Sequence, residues 1–290
     1  MAVPAVTVAR FGGPEVLVVD RIAPPVAADG HVLVRVAAAA INNTDTLLRT
    51  GAQQQMLART EPPHVPGMDL AGVVVEGDES WSAGDRVMGA ISAWGANGGA
   101  QAQLVSVPSE SLMATPSHLS DIEASTIPMN ALTALSAIDA LGVGDGDVLA
   151  VLGASGAVGG FTVQIAEARG VEVVAVTSRS RDQWPTGVDA VVDTAVVGQD
   201  ATDLLRDGGR LAILRASEVT PARDIDVLRV QVTQDLRRAD LVKQVERLVA
   251  SGVLTARVAD VFAPEQAADA HRLLERGGLR GRPVLDLSAW

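Results

Sequence analysis

Apolar residues alternate with polar ones, or form short apolar blocks, at 3–9, 15–20, 31–39, 69–76, 85–91 and 100–107. Gly, Pro and Asp turns separate these blocks. That is the pattern of short strands folded back on one another, so the first 120 residues are expected to form a compact antiparallel barrel or sandwich. The period changes near Ser120. Residues 121–141 read as helix, with Pro128 expected to break them into two pieces, because proline lacks an N–H. From 147 onward strands at 147–152, 171–177, 188–193, 209–214 and 225–232 alternate with helical stretches, which predicts a parallel sheet. A helix at 239–251 ends at Gly252. A strand at 255–261, a helix at 264–276 closed by Gly277 and Gly278, and a strand at 283–287 follow.

One junction carries chemistry. The apolar run Asp147-Val-Leu-Ala-Val-Leu152 feeds into Gly153-Ala154-Ser155-Gly156-Ala157-Val158-Gly159, and Val158, Phe161 and Ile165 then recur at helical spacing. A second apolar run, 171–176, ends in Thr177-Ser178-Arg179-Ser-Arg181. A strand, glycine turn, helix and strand in this order place a dinucleotide. The glycines let the backbone turn tightly against a pyrophosphate, and the helix N-terminus offers N–H groups and a positive dipole end. Glycines alone occur in any strand-to-helix turn; the surrounding units give these their meaning. An NAD site usually places Asp or Glu at the end of the second strand, for the ribose 2′-hydroxyl. Here Ser178 and Arg179 stand there, with Arg181 beyond, and no carboxylate precedes Asp182. A hydroxyl and guanidinium groups suit a 2′-phosphate, so the expected cofactor is NADPH, against the alternative of a solvated arginine pair.

Composition narrows the classes. The 290 residues allow two domains, and 48% are hydrophobic without an 18-residue apolar run, so no membrane span is expected. The start, Met1-Ala-Val-Pro-Ala-Val, reads as a strand and not as a signal peptide. A net charge of −12 disfavours nucleic acid, which needs clustered cations. Cysteine is absent, excluding disulfides, thiolate metal sites and cysteine nucleophiles; a cytoplasmic enzyme fits. Lys243 is the one lysine, and tyrosine is absent.

Several blocks together resemble the medium-chain dehydrogenase/reductase superfamily, in its zinc-independent quinone oxidoreductase branch. They are Arg10-Phe-Gly-Gly-Pro-Glu-Val-Leu17, Gly30-His-Val-Leu-Val-Arg-Val36, Ile41-Asn42-Asn-Thr-Asp45, Pro66-Gly-Met-Asp-Leu-Ala-Gly-Val73, Gly84-Asp-Arg-Val87, Leu132-Thr133-Ala134, the glycine turn, Asp207-Gly-Gly-Arg-Leu211 and Leu279-Arg-Gly-Arg-Pro-Val-Leu285. The resemblance implies an α/β protein with a GroES-like β-rich catalytic domain at 1–120, completed by 253–290. It also implies an NADPH-binding Rossmann domain at 121–252, a doubly wound parallel sheet, with the active site between the two domains and a homodimer as the assembly. Zinc-dependent relatives use cysteine and a Gly-His-Glu segment as ligands; this chain reads Gly67-Met68-Asp69 there. A catalytic zinc needs three protein ligands. A site from Glu61, His64 and Asp69 is conceivable, but the expectation is no catalytic metal.

Without a metal, the expected chemistry is hydride delivery to a quinone or an α,β-unsaturated carbonyl, with the protein stabilising the developing oxyanion. By resemblance, Asn42, Asp45 and Thr133 are the catalytic candidates. Asn42 either donates to the substrate carbonyl or satisfies a loop, and Asp45 is also read as an N-cap for a helix around Thr46–Arg49. Asn130 and Thr133 share a helix face toward the cofactor, Thr194 is expected to bind the cofactor, and the Thr194-Ala195 turn lines the cleft. Arg282 can reach the cofactor's phosphate end or be a surface arginine. The substrate pocket is expected to be lined by Leu47, His64, Met68 and Trp94, and to take a hydrophobic small molecule. Trp94 is read as a lid or as packing under its own loop.

Two departures stand out. The family often has a tyrosine just after the Ile-Asn-x-x-Asp segment, where this chain has Thr46-Leu47-Leu48. The family also inserts a helix, a strand and a helix between 181 and 187, where this chain offers only a short link. The sheet is therefore expected to be trimmed by about one strand, to the order 2-1-4-5-6, with strand 171–177 as an edge covered by Trp184 and Pro185 or by a partner chain. Two alternatives follow: a non-redox cyclase or isomerase on the same fold, and an NADPH-sensing binding protein.

Overall fold

A computed structural model describes residues 1–290 apart from Arg59, Asn97, Ser178, Arg179, Ser180, Ala216 and Pro221, and apart from the side chain of Arg181. In chain order the elements are β1 (Val3–Val8), β2 (Leu17–Ile22), β3 (His31–Ala40), α1 (Asn43–Thr50), β4 (Asp69–Glu76), β5 (Arg86–Ala90), β6 (Leu104–Pro108), β7 (Leu112–Ala114), α2 (Asp121–Ala124) and α3 (Pro128–Leu141). They continue with β8 (Val148–Leu152), α4 (Ala157–Ala168), β9 (Glu172–Val176), β10 (Val188–Asp193), β11 (Leu205–Ile213), β12 (Asp226–Arg229), α5 (Ala239–Ala250), β13 (Val258–Phe262), α6 (Ala267–Arg276) and β14 (Arg282–Asp286). The chain falls into two compact units. Unit 1 comprises Met1–Met129, Leu236–Glu246 and Ala256–Trp290, and unit 2 comprises Asn130–Asp235 and Arg247–Thr255.

Unit 1 is built on a sheet of order β13-β14-β3-β4-β5-β7, with β6 also pairing β3. The β3 strand alternates buried and less buried positions and then stays buried through Ile41, because its far end is covered on both sides. The pairs β3–β4, β4–β5, β5–β7 and β3–β6 are antiparallel, as the alternating pattern predicts. The pair β13–β14, formed by strands outside the first 120 residues, is parallel. Its strands are joined through α6, and a helical crossover returns the chain in the same direction. A separate β1–β2 hairpin is fastened by Val6 N–H to Gln101 O (2.9 Å) and Val8 N–H to His64 O (2.8 Å). The strand β7 is too short for a period-2 signal and escapes the sequence reading.

The expected break at Pro128 is present: α2 ends at Ala124 and α3 starts at Pro128, where a missing N–H costs nothing. Ser120 caps α2, with the Glu123 carboxylate accepting from Ser120 N–H (2.9 Å).

Unit 2 holds a fully parallel sheet of order β12-β11-β10-β8-β9. This is the trimmed order expected from the missing segment, with β9 at one edge. Trp184 packs against an apolar cluster containing Leu152, Val176, Val188 and Val191, so the short link covers core that joins the edge strand to its neighbours. Between β10 and β11 the crossover is only a 3-10 turn, Gly198–Leu204, a further economy that the helical pattern did not predict. Among the described residues no helix is long and apolar enough to cross a membrane.

Candidate functional site

In unit 2 the chain leaves β8 for β9 on one side and returns as β10 on the other, so the sheet has its switch point between β8 and β10. Ligands of open parallel sheets bind beyond the carboxyl ends of the strands at such a point. The glycine turn lies there. Gly153 has φ +79°, a left-handed backbone, and a Cβ on it would stand 2.7 Å from Thr194 Oγ1. A Cβ on Gly159 would stand 2.3 Å from Gly153 O, so α4 packs onto the turn only because that position is bare. Gly156 N–H closes the turn on Gly153 O (2.9 Å), Gly153 N–H ties it to Val176 O (3.0 Å), and Gly156 caps α4. Ser155 and Thr177 are exposed, Ala154 and Ala157 are buried, and Gly156 and Val158 are half-buried.

The facing turn is held rigidly. The buried Asp193 carboxylate accepts from the N–H groups of Ala195 (3.1 Å), Val197 (3.1 Å) and Gly198 (2.8 Å). Thr194 Oγ1 donates to Leu152 O (2.6 Å), so this predicted cofactor residue serves first to lace the β10 turn to the β8 turn. Between them Val196 is forced to φ +60°, which a β-branched residue adopts only under constraint. The bare turn, the helix N-terminus and the switch point together fit a dinucleotide phosphate. Ser178 and Arg179 lie outside the described residues. Asn130 is fully buried and Thr133 nearly so on α3.

Unit 1 contains a buried polar chain. Asn42, not Asp45, caps α1: the helix begins at Asn43, and the Asp45 carboxylate, three residues on, reaches back to accept from Asn42 N–H (2.8 Å). This corrects the reading of Asp45 as the cap. The other Asp45 oxygen accepts from Gly67 N–H (3.0 Å). Asn42 Nδ2 donates to Asp69 (2.8 Å), whose second oxygen accepts from Met129 N–H (2.7 Å) in the first turn of α3. Asn42 and Asp69 are wholly buried and Asp45 almost so. Burial pushes the carboxyl of Asp45 up to about 7, against the N–H bonds from Asn42 and Gly67 and the charge of Arg282. Burial raises Asp69 in the same way, with the neighbouring Asp45 adding to it. The charge of Arg282 is thus engaged with these two carboxyls.

The remaining pocket candidates also lie in unit 1. Met68 is buried, Leu47 is half-buried, and Trp94 is 7% exposed. His64 stacks on Phe11 with ring centroids 6.0 Å apart, and burial lowers its pKa. Among the described residues no group of three or more His, Cys, Asp or Glu is placed to hold a metal ion. Both Asp69 oxygens already accept N–H bonds. Sequence reasoning missed the structural weight of Asp69, and also Arg49 and His271, which are both buried in unit 1. The legible signal for Asp69 was a lone acid opening the apolar strand Asp-Leu-Ala-Gly-Val-Val-Val, since a buried carboxyl requires partners.

Comparison with known proteins agrees with this architecture. Residues 28–117 match the alcohol dehydrogenase GroES-like domain family, and residues 138–285, more than half of the chain, match the zinc-binding dehydrogenase family. The 2-methylene-furan-3-one reductase of Solanum lycopersicum is 27% identical over 95% of this chain and 76% of its own length. The quinone oxidoreductase of Sus scrofa is 25% identical over 97% of each chain. Among solved structures, an alcohol dehydrogenase superfamily protein from Novosphingobium aromaticivorans superposes with a TM-score of 0.87 at 25% identity, covering 98% of this chain and 99% of its own. The GroES-like sheet, the parallel Rossmann sheet and these matches together place the chain in the medium-chain dehydrogenase/reductase superfamily, an oxidoreductase family whose members bind a nicotinamide cofactor.

Proposed function

We propose that the protein is an NADPH-dependent reductase that transfers hydride to a quinone or an α,β-unsaturated carbonyl without a metal. The glycine turn at the switch point of unit 2 carries this reading: a Cβ on Gly153 or Gly159 would stand 2.7 Å or 2.3 Å from atoms of the turn, and Gly156 caps the helix that follows. NADPH over NADH rests on Ser178 and Arg179 at the end of the second strand and on the lack of a carboxylate there. The quinone and furanone reductases among the relatives support the substrate class. When bound, the cofactor supplies the hydride; the protein's own task is to hold the acceptor and meet the charge that develops on its oxygen. Within this reading Asn42 and Asp45, whose polar atoms are engaged with one another, Asp69 and Gly67, act as positioning residues. Thr133 remains the candidate beside the nicotinamide. A cytoplasmic setting completes the proposal.

Calorimetric titration is expected to show NADPH binding more tightly than NADH. Arg179→Ala should weaken NADPH by about tenfold or more through loss of a charge-assisted bond, and Gly159→Ala should abolish binding of both. Equal affinity for the two cofactors would defeat the NADPH assignment. No binding of either would turn attention to a non-redox cyclase or isomerase, and binding without NADPH oxidation across a quinone and enone panel would leave a sensor.

The same proposal includes a homodimer formed by a second copy adding at β12, the last strand of the unit 2 sheet among the described residues. Light scattering at micromolar concentration should give twice the chain mass, and a monomer would dismiss it.

A further inference from the structure

In unit 2 one residue holds a backbone conformation that its own side chain opposes. Val196, three residues beyond the end of β10, has φ +60°, where a β-branched residue is an outlier. The turn around it is clamped. The buried Asp193 carboxylate accepts from the N–H groups of Ala195, Val197 and Gly198, on both sides of Val196. The N–H and Oγ1 of Thr194 both donate to Leu152 O (3.1 and 2.6 Å), which fixes the start of the turn to the end of β8. Val197 is partly buried and packs against the apolar cluster that holds Leu152 and Val191. Val196 does the reverse: it is 38% exposed, so its isopropyl group gains little from the core.

Neither the strain nor the exposed apolar surface helps the fold. Glycine or asparagine would take this backbone readily, and without the strain. Strained residues that are held this firmly cluster at ligand-binding sites, where the strain is part of how the ligand is met. The location of Val196 agrees with such a role. The Cβ of its neighbour Ala195 is 3.2 Å from where a Cβ on Gly153 would stand, so the two turns abut at the switch point.

A dinucleotide lies across the switch point of a doubly wound sheet, with one half of the sheet serving each nucleotide. The glycine turn takes the pyrophosphate, and the end of the second strand meets the adenosine ribose. In this sheet those are the ends of β8 and β9, which leaves the half beginning at β10 for the nicotinamide nucleotide. We propose that the Val196 side chain is an apolar seat for the nicotinamide half of the bound cofactor, presented by the clamped left-handed turn. A reduced nicotinamide is uncharged and its ring face is apolar, so covering it with an isopropyl group takes apolar surface of both out of water. The seat presupposes the dinucleotide reading above, and it depends neither on the preference for a 2′-phosphate nor on the substrate class.

The test is calorimetric titration of the whole chain, and of Val196→Gly and Val196→Asn, with NADPH, NADH and 2′,5′-ADP, a fragment that lacks the nicotinamide half. Both replacements tolerate the left-handed backbone, so the turn is kept while the apolar group is lost. NADPH affinity is expected to fall about tenfold in both variants, the loss of one covered valine side chain. The fragment should bind within about twofold of the parent value, a split that a merely structural role for Val196 would not give. The midpoint of thermal unfolding of Val196→Asn should stay level or rise, because strain is relieved. NADPH binding within about twofold of the parent in either variant overturns the proposal, and so does an equal loss of NADPH and 2′,5′-ADP. Equal parent affinities for NADPH and NADH, both weakened in the variants, defeat the NADPH preference and keep the seat. A parent that binds neither dinucleotide sinks both readings.

Discussion

Asp69→Ala is expected to lower the stability of unit 1 by about 2–6 kcal/mol at pH 5, because it takes an acceptor from two buried donors at about 1–3 kcal/mol each. Those donors are the Asn42 amide and the N–H of Met129, and neither reaches water when the carboxyl is gone. Urea unfolding followed by tryptophan fluorescence reads this directly, since Trp81, Trp94 and Trp290 all lie in unit 1. The pH dependence is as informative as the loss. Burial holds the Asp69 carboxyl at about 7 in the folded protein, against an ordinary value of 3.8. A carboxyl raised by folding contributes stability that is complete below 3.8 and is lost as pH rises through 7. Asp45 adds in the same sense. Each tenfold gain in proton affinity on folding is worth about 1.4 kcal/mol, so the pair contributes several kcal/mol more stability at pH 4 than at pH 8. Asp69→Asn cannot titrate, so its stability should fall distinctly less over that window. Parallel curves for the two proteins would show that the buried carboxyl does not hold its proton.

Between pH 6.5 and 3 His271 contributes a slope of the opposite sign. This side chain on α6 is fully buried with neither ring nitrogen partnered among the described residues. Glu275, one helical turn on, binds the guanidinium of Arg49, which is itself buried from α1. Burial first, and the Arg49 charge second, push the His271 pKa down to about 3, from an ordinary 6.5. A base depressed by folding contributes stability that is complete above 6.5 and is lost as pH falls toward 3. The full loss is on the order of 5 kcal/mol, a large share of a typical folding free energy. His271→Leu should remove most of this acid lability and cost little at pH 8, where it replaces two unpaired nitrogens by apolar surface. A variant as acid-labile as its parent would place the sensitivity elsewhere. The two windows overlap between pH 3.8 and 6.5, where the imidazole offsets part of what the carboxyl pair contributes.

These groups illustrate how far the chain can be read by eye. The strands β1 to β6 and β8 to β12, the break at Pro128 and the glycine turn were all legible, because each is encoded by neighbours within one turn or one strand. Even the trimmed sheet order followed once the chain was set against the family pattern it resembles, since a missing strand is a missing segment. The reading of Asp45 failed by three residues: asparagine followed by an acid three positions later is itself a cap signal, and Asn42 carries it. The parallel pairing of β13 with β14 was not legible, because a short tail gives no indication of which edge it joins.

The sequence by itself determined the alternation of strands and helices that makes the unit 2 sheet parallel, and the glycine turn after β8, all products of short-range patterning and backbone chemistry. Only the tertiary structure decided which polar residues are sealed from water and with whom. Asn42 meets Asp69 across 27 positions, Asp69 meets Met129 across 60, and Arg49 meets Glu275 across 226. No periodicity links such residues. Their pairing is set by packing of separate elements, and burial then gives two carboxyls and one imidazole the proton affinities that their residue types alone would never suggest.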